Sequence, residues 1–109
     1  PTFHKHAERL CSGLQIHTDS RHYQHWVFRP YRTAALILKA IRLAHPDYPI
    51  WRAFPYEYER ERLAVDLLSG GTFLRDWVDD PQAMPGDLDA RLVPDESAWL
   101  EERRDLLLY

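Results

Sequence analysis

Two prolines, Pro30 and Pro46, bracket the stretch that most limits what this chain can become. Proline suits a first helical turn, where its missing N–H has no intrahelical partner to lose. It also pushes the residue before it out of the α region, so Pro46 is a stop. Between them Ala34, Ile37, Leu38, Ile41 and Ala44 recur at helical spacing, with Leu36, Ala40 and Leu43 widening the apolar surface. Arg32, Lys39 and Arg42 gather on a narrow polar side. The spacing predicts a helix over residues 31–45 whose apolar stripe is covered by more than one neighbour.

At 109 residues the chain reads as one domain, 1–109. Its 4 tryptophans, 6 tyrosines and 4 phenylalanines exceed what so small a core needs, which places some of them at the surface, in a cleft or against another domain. A net charge of −3 argues against a nucleic-acid binder that neutralises phosphates. Lysine occurs only at Lys5 and Lys39, so arginine dominates the cations and favours planar, hydrogen-bonded pairs. No apolar run approaches the roughly 20 residues of a membrane-spanning helix. Neither a basic n-region nor an apolar h-region opens the chain, and its start at Pro1 reads as the beginning of a piece of something longer.

Elsewhere the pattern is weaker. Leu14, Ile16 and Thr18 alternate with Gln15, His17 and Asp19, the period of a half-buried strand, and Gly13 suits a bulge before it. Residues 20–29 read as a loop. Trp51, Phe54, Tyr56 and Tyr58 recur nearly every second residue, as on one face of a ribbon, and the mixed charges of 57–62 read as a solvated turn. Residues 63–68 fit a short helix or a strand. Thr72 is placed to cap a helix carrying Phe73, Leu74, Trp77 and Val78. Residues 79–86 form a loop, Leu88, Leu92 and Val93 one further helical turn, and Asp95 caps a helix from 96 to about 105. A short apolar strand, 106–109, closes the chain. The expected fold class is α+β, a small mixed sheet with helices packed on one face.

Reactive side chains crowd the first nineteen residues. His4, His6, Cys11, His17, Asp19, His22 and His25 are all residue types that bind zinc, yet no finger spacing is present and only one cysteine is available. Ordinary surface histidines beside a free thiol explain them more simply. Cys11 with His17, His4 or His6 has the composition of a thiolate pair, with Lys5 nearby, but no cysteine-hydrolase signature surrounds it. Glycoside chemistry needs two carboxyls about 5 to 9.5 Å apart. Asp19, Glu57, Glu59 and Asp66 come nearest to candidates, no spacing brings two of them together, and Asp66 reads as a capping or structural acid.

The segments PTFHKHAERLCSGLQIHTD, PYRTAALILKAIRLAHPDYPIWR, RLAVDLLSG and ERRDLLLY, in that order, resemble the C-terminal domain of the NamZ family of bacterial exo-β-N-acetylmuramidases. Phe3, Lys5, Cys11, Gly13, Ile16, His17, Asp19, Asp66, Gly70 and the closing Leu-Leu-Tyr carry the likeness. Glu8-Arg9, where a glycine-containing turn is more usual, and a longer loop over 20–28 depart from it. The resemblance implies a two-domain parent glycosidase of the cell envelope, periplasmic or secreted, that releases terminal N-acetylmuramic acid from peptidoglycan fragments. Its Rossmann-like N-terminal domain would carry the catalysis and be this chain's partner. This chain would then be an auxiliary domain without catalytic groups of its own, and no cofactor is implied. Lys5, Cys11, His17 and Asp19 would line a cleft, with Lys5 and His17 meeting the lactyl carboxylate or sugar hydroxyls, and Trp26 or Tyr56 stacking on a ring. Two other readings stand beside it: a protein-interaction domain docking through helix 31–45, and a small zinc module built on the histidine-rich N-terminus.

Overall fold

The computed structural model describes residues 5–53 and 55–107, and among these the protein is helical. Helix α1 spans Pro30–Ala44, α2 Ala64–Leu68, α3 Phe73–Asp79 and α4 Pro85–Glu102, followed by a single 3₁₀ turn, Arg104–Leu106. The expected mixed sheet is absent. Among the described residues the only strand-like pairing is an isolated antiparallel bridge between Tyr56 and Glu59. Residues 14–19 carry the alternation of a strand but have no partner strand, and Leu14 and Ile16 stay 65% and 47% exposed. The predicted aromatic ribbon gives way to bends and turns, with Phe54 outside the described residues, and the predicted closing strand is replaced by the 3₁₀ turn, with residues 108–109 outside them.

Helix α1 begins at Pro30, as expected, and ends with the His45 N–H donating to the Ile41 carbonyl at 2.9 Å. Its orientation is not the one the apolar stripe predicts. The face turned into the molecule carries Ala35 and Lys39, both buried, one turn apart. Ala34, Ile41 and Ala44, from the stripe, are exposed instead. Arg32 and Arg42, on the supposedly solvated side, reach across to neighbouring helices. Arg32 makes a two-pronged pair with Asp89 of α4, at 2.6 and 2.8 Å, and Arg29 reaches Glu96 at 2.7 Å. Arg42 binds Asp79 of α3 at 2.8 Å and the carbonyls of Pro46 and Tyr48, so one guanidinium fastens the loop after α1.

The core is small. Ala35, Leu74, Trp77, Val78 and Leu88 are buried, with Leu36, Leu38, Ile50, Trp51, Val65, Ala83 and Leu92 packed around them. Helix α3 is the hub, touching both α1 and α2. Asp66 of α2 is nearly buried and accepts from Arg75 of α3 through both carboxyl oxygens, at 2.9 to 3.2 Å, so it is a structural acid. Between those helices Gly70 turns the chain at φ +77°, a conformation glycine tolerates without steric cost.

Helix α4 corrects the expectation of a turn at 88–93 followed by a separate helix capped at Asp95. It runs through Pro94 without a break. Interior proline removes one backbone hydrogen bond and crowds the carbonyl four residues back. A contact from outside the helix offsets part of that cost, Glu96 being held by Arg29, and within the helix Ser97 donates its hydroxyl to the Val93 carbonyl at 2.8 Å.

Glu59 organises the charged turn. Its Oε1 accepts the N–H groups of Arg60 and Glu61, at 3.0 and 2.8 Å, and its Oε2 accepts from Arg62 Nε at 2.9 Å. The Glu61 N–H first, then the Arg62 guanidinium, pull its carboxyl from 4.5 down to about 2. A folded value below the unfolded one gives stabilisation that is complete above about 4.5 and is lost as the pH falls toward about 2. Asp89, lowered by its hydrogen bonds from Arg32, works in the same direction. The Glu61 amide resonance should therefore titrate with a midpoint near 2, and Glu59→Gln should abolish that titration. A midpoint at 4 to 5, the range of an unperturbed carboxyl, would show that the turn is not held this way.

Candidate functional site

Lys5, Cys11, His17 and Asp19, the residues expected to line a cleft, all lie in the segment before α1. Among the described residues it has no regular structure beyond turns, and nearly every side chain faces solvent. Backbone bonds from Arg9 to His6, Tyr23 to Ser20, and Val27 and Phe28 to Gln24 close three successive turns. The first of these holds His6 and Glu8 at φ +58°, the left-handed region that glycine prefers. Glu8 is one of the two residues standing where the resemblance favours a glycine-containing turn.

His17 and Asp19 are brought together, Nδ1 lying 3.7 Å from Oδ1, with both side chains well exposed. That follows from extended backbone, which points residues two apart to the same side. Cys11 is an exposed free thiol whose Sγ lies 3.7 Å from the Arg9 carbonyl. Among the described residues, no hydrogen bond or ion pair links Lys5 or Cys11 to His17 or Asp19. His22 accepts a hydrogen bond from Arg21 Nε at 3.2 Å, and Tyr23 packs edge-on against Phe28, centroids 5.6 Å apart. Among the described residues no group of three histidine, cysteine, aspartate or glutamate side chains is placed to hold a metal ion, and His4 lies outside them. No described helix is long and apolar enough to cross a membrane.

Part of this segment lies over the outward face of α1. Ser12, Gly13 and Leu14 face Ile37, Ala40, Ile41 and Ala44 across a groove of about 520 Å³. Of the apolar stripe that the sequence marked for burial, Ile37, Ile41 and Ala44 therefore face only this strap, while Leu38 packs against the core. Leu10, Trp26 and Val27, on the same segment, are 100%, 92% and 68% exposed. Exposed apolar side chains of this size are the mark of an interaction face.

The family model described as "Exo-beta-N-acetylmuramidase NamZ, C-terminal" matches residues 1–109. The chain belongs to this family. A NamZ C-terminal domain implies an N-terminal partner domain. Searches of curated proteins and of solved structures found no match. Sequence reading marked Lys39 and Arg42 as part of a narrow polar side of α1, but not that this side meets α3.

Proposed function

We propose that this domain serves an exo-β-N-acetylmuramidase as a cleft-forming, non-catalytic part, acting on peptidoglycan fragments in the bacterial cell envelope. The observation that carries the reading is the apolar groove between residues 12–14 and the outward face of α1. The outward stripe of α1 and the apolar side chains of the preceding segment offer a surface for the N-terminal catalytic domain. Lys5, Cys11, His17 and Asp19 stand on that same segment. Lys5 supplies a cation for a lactyl carboxylate, and the His17–Asp19 pair supplies a donor and an acceptor for sugar hydroxyls. The interaction-domain reading through helix 31–45 merges with this one, since the uncovered part of α1 is the part that would meet the catalytic domain.

His17→Ala in the two-domain enzyme is the test. His17 is exposed here, so the domain should keep its stability. Loss of a hydrogen bond to a charged or strongly polar substrate group should lower kcat/KM by roughly 10- to 100-fold, as expected for about 1.5 to 3 kcal/mol. Wild-type kinetics in that variant, with the fold intact, would remove His17 from the cleft.

A further inference from the structure

A second recess lies away from the N-terminal segment, where the start of α1 meets the α2–α3 connection. It has two compartments that share Tyr31, Ser69 and Leu74. One, of about 460 Å³, is apolar, walled by Trp51, Val65 and Leu68. The other, of about 300 Å³, is polar, bordered by Gly70, Gly71, Thr72, Arg91 and Asp95. These sizes fall within the range of small-ligand sites. Trp51 is held in place by its indole N–H, which donates to Asp79 Oδ2 at 2.7 Å, and Asp79 is held in turn by Arg42. The aromatic wall is thus fixed before any ligand arrives, which lowers the ordering cost of binding.

Across the recess Arg91 lies over the Phe73 ring at 5.9 Å and meets Asp95 at 3.4 Å, with both members of the pair about 60% exposed. An ion pair so open to water is weak and can be exchanged for another carboxylate. We infer that this recess binds a carboxylate-bearing amino sugar, its C–H face and acyl methyl against Trp51 and Leu68, and its carboxylate at Arg91. A pyranose has one apolar side and a rim of hydroxyls, so it matches an apolar compartment joined to a polar one. The choice of an acidic sugar rests on the muramidase reading proposed above. The position is separate from Lys5, Cys11, His17 and Asp19, and would hold a second acidic sugar rather than the one being released.

The test is an amide and indole NMR titration of the labelled chain with N-acetylmuramic acid, and in parallel with N-acetylglucosamine, which lacks the lactyl carboxylate. The Trp51 indole N–H and the Gly70 and Gly71 amides should shift, with the acidic sugar bound more tightly. Arg91→Ala should weaken N-acetylmuramic acid by about tenfold and leave N-acetylglucosamine unchanged, as loss of one charge-assisted hydrogen bond implies. Leu68→Glu should weaken both sugars. Leu68 is 72% exposed and the Arg91 side chain 61%, so neither change threatens the fold. Silence at Trp51, Gly70 and Gly71, or identical binding in both variants, overturns the inference. Shifts confined to residues 5–19 would overturn it while supporting the cleft reading, and wild-type kinetics in His17→Ala with shifts at Trp51 would do the reverse.

Discussion

Lys39→Met should destabilise the domain by about 3 kcal/mol, although it replaces a buried charge with an apolar side chain of similar length. Lys39 is 5% exposed, and its ammonium donates to the carbonyls of Trp77 at 2.8 Å, Val78 at 3.4 Å and Asp80. The first two are among the last carbonyls of α3, which have no intrahelical partner. The three protons of the ammonium thus meet three acceptors, of which the Trp77 and Val78 carbonyls have no intrahelical partner, while the Asp80 carbonyl also accepts the Ala83 N–H at 3.2 Å. The charge also sits at the negative end of the α3 dipole and 5.1 Å from the Trp77 ring centroid. Burying a cation this way is costly in itself, but methionine removes the donors and leaves the acceptors behind, which is the more expensive change. Urea unfolding of the two proteins measures it. A loss below about 1 kcal/mol with an unchanged slope would show that water replaces the ammonium at the α3 terminus.

The same residue explains where reading from sequence stops. Residues 31–45 were legible as a helix because prolines and apolar spacing are local signals. Which side of it faces inward was not, because a periodic stripe reports apolar surface and says nothing of which neighbours are present. In this chain α3 and α4 bind the side carrying Ala35, Lys39 and Arg32. The stripe through Ile41 and Ala44 is left to the strap before α1. The alternation at Leu14, Ile16 and Thr18 misled for a related reason. A strand needs a partner, and the pattern shows only that one face of the segment favours burial. Helix α4 escaped for the opposite reason: Pro94 is a strong local stop, overridden by contacts from distant residues such as Arg29.

The candidate site divides in the same way. The closeness of His17 and Asp19 is a two-residue matter and was legible as soon as the segment was taken as extended. Any relation of Lys5 or Cys11 to that pair depends on how several turns fold back, and their contacts among the described residues do not join them. The recess at Tyr31 was invisible to motif reading, because its walls come from four separate segments that only tertiary packing unites.

Trp77→Ala should cost more than any other single truncation in this core, about 4 kcal/mol. The indole is 4% exposed, packs with Ala35, Leu74, Val78 and Leu88 in the core of the described residues, and donates its N–H to the Met84 carbonyl at 3.1 Å. Alanine would leave a cavity on α3, the helix that joins α1 to α2, and would strip the ring from beneath the Lys39 ammonium. A domain of this size has a net stability of roughly 5 to 15 kcal/mol, so the loss is a large share of the whole. Trp77→Phe divides the effect. It keeps most of the packing and removes one hydrogen bond to a carbonyl that still accepts the Asp87 N–H at 3.0 Å, so it should cost about 1 to 2 kcal/mol, the net worth of one hydrogen bond with a modest loss of volume. Combining each change with Lys39→Met gives the coupling between ring and ammonium, which for residues in contact should exceed about 0.5 kcal/mol. Additive losses would mean that the two side chains stabilise α3 independently: the lysine by satisfying its end, the tryptophan by filling the space beneath it.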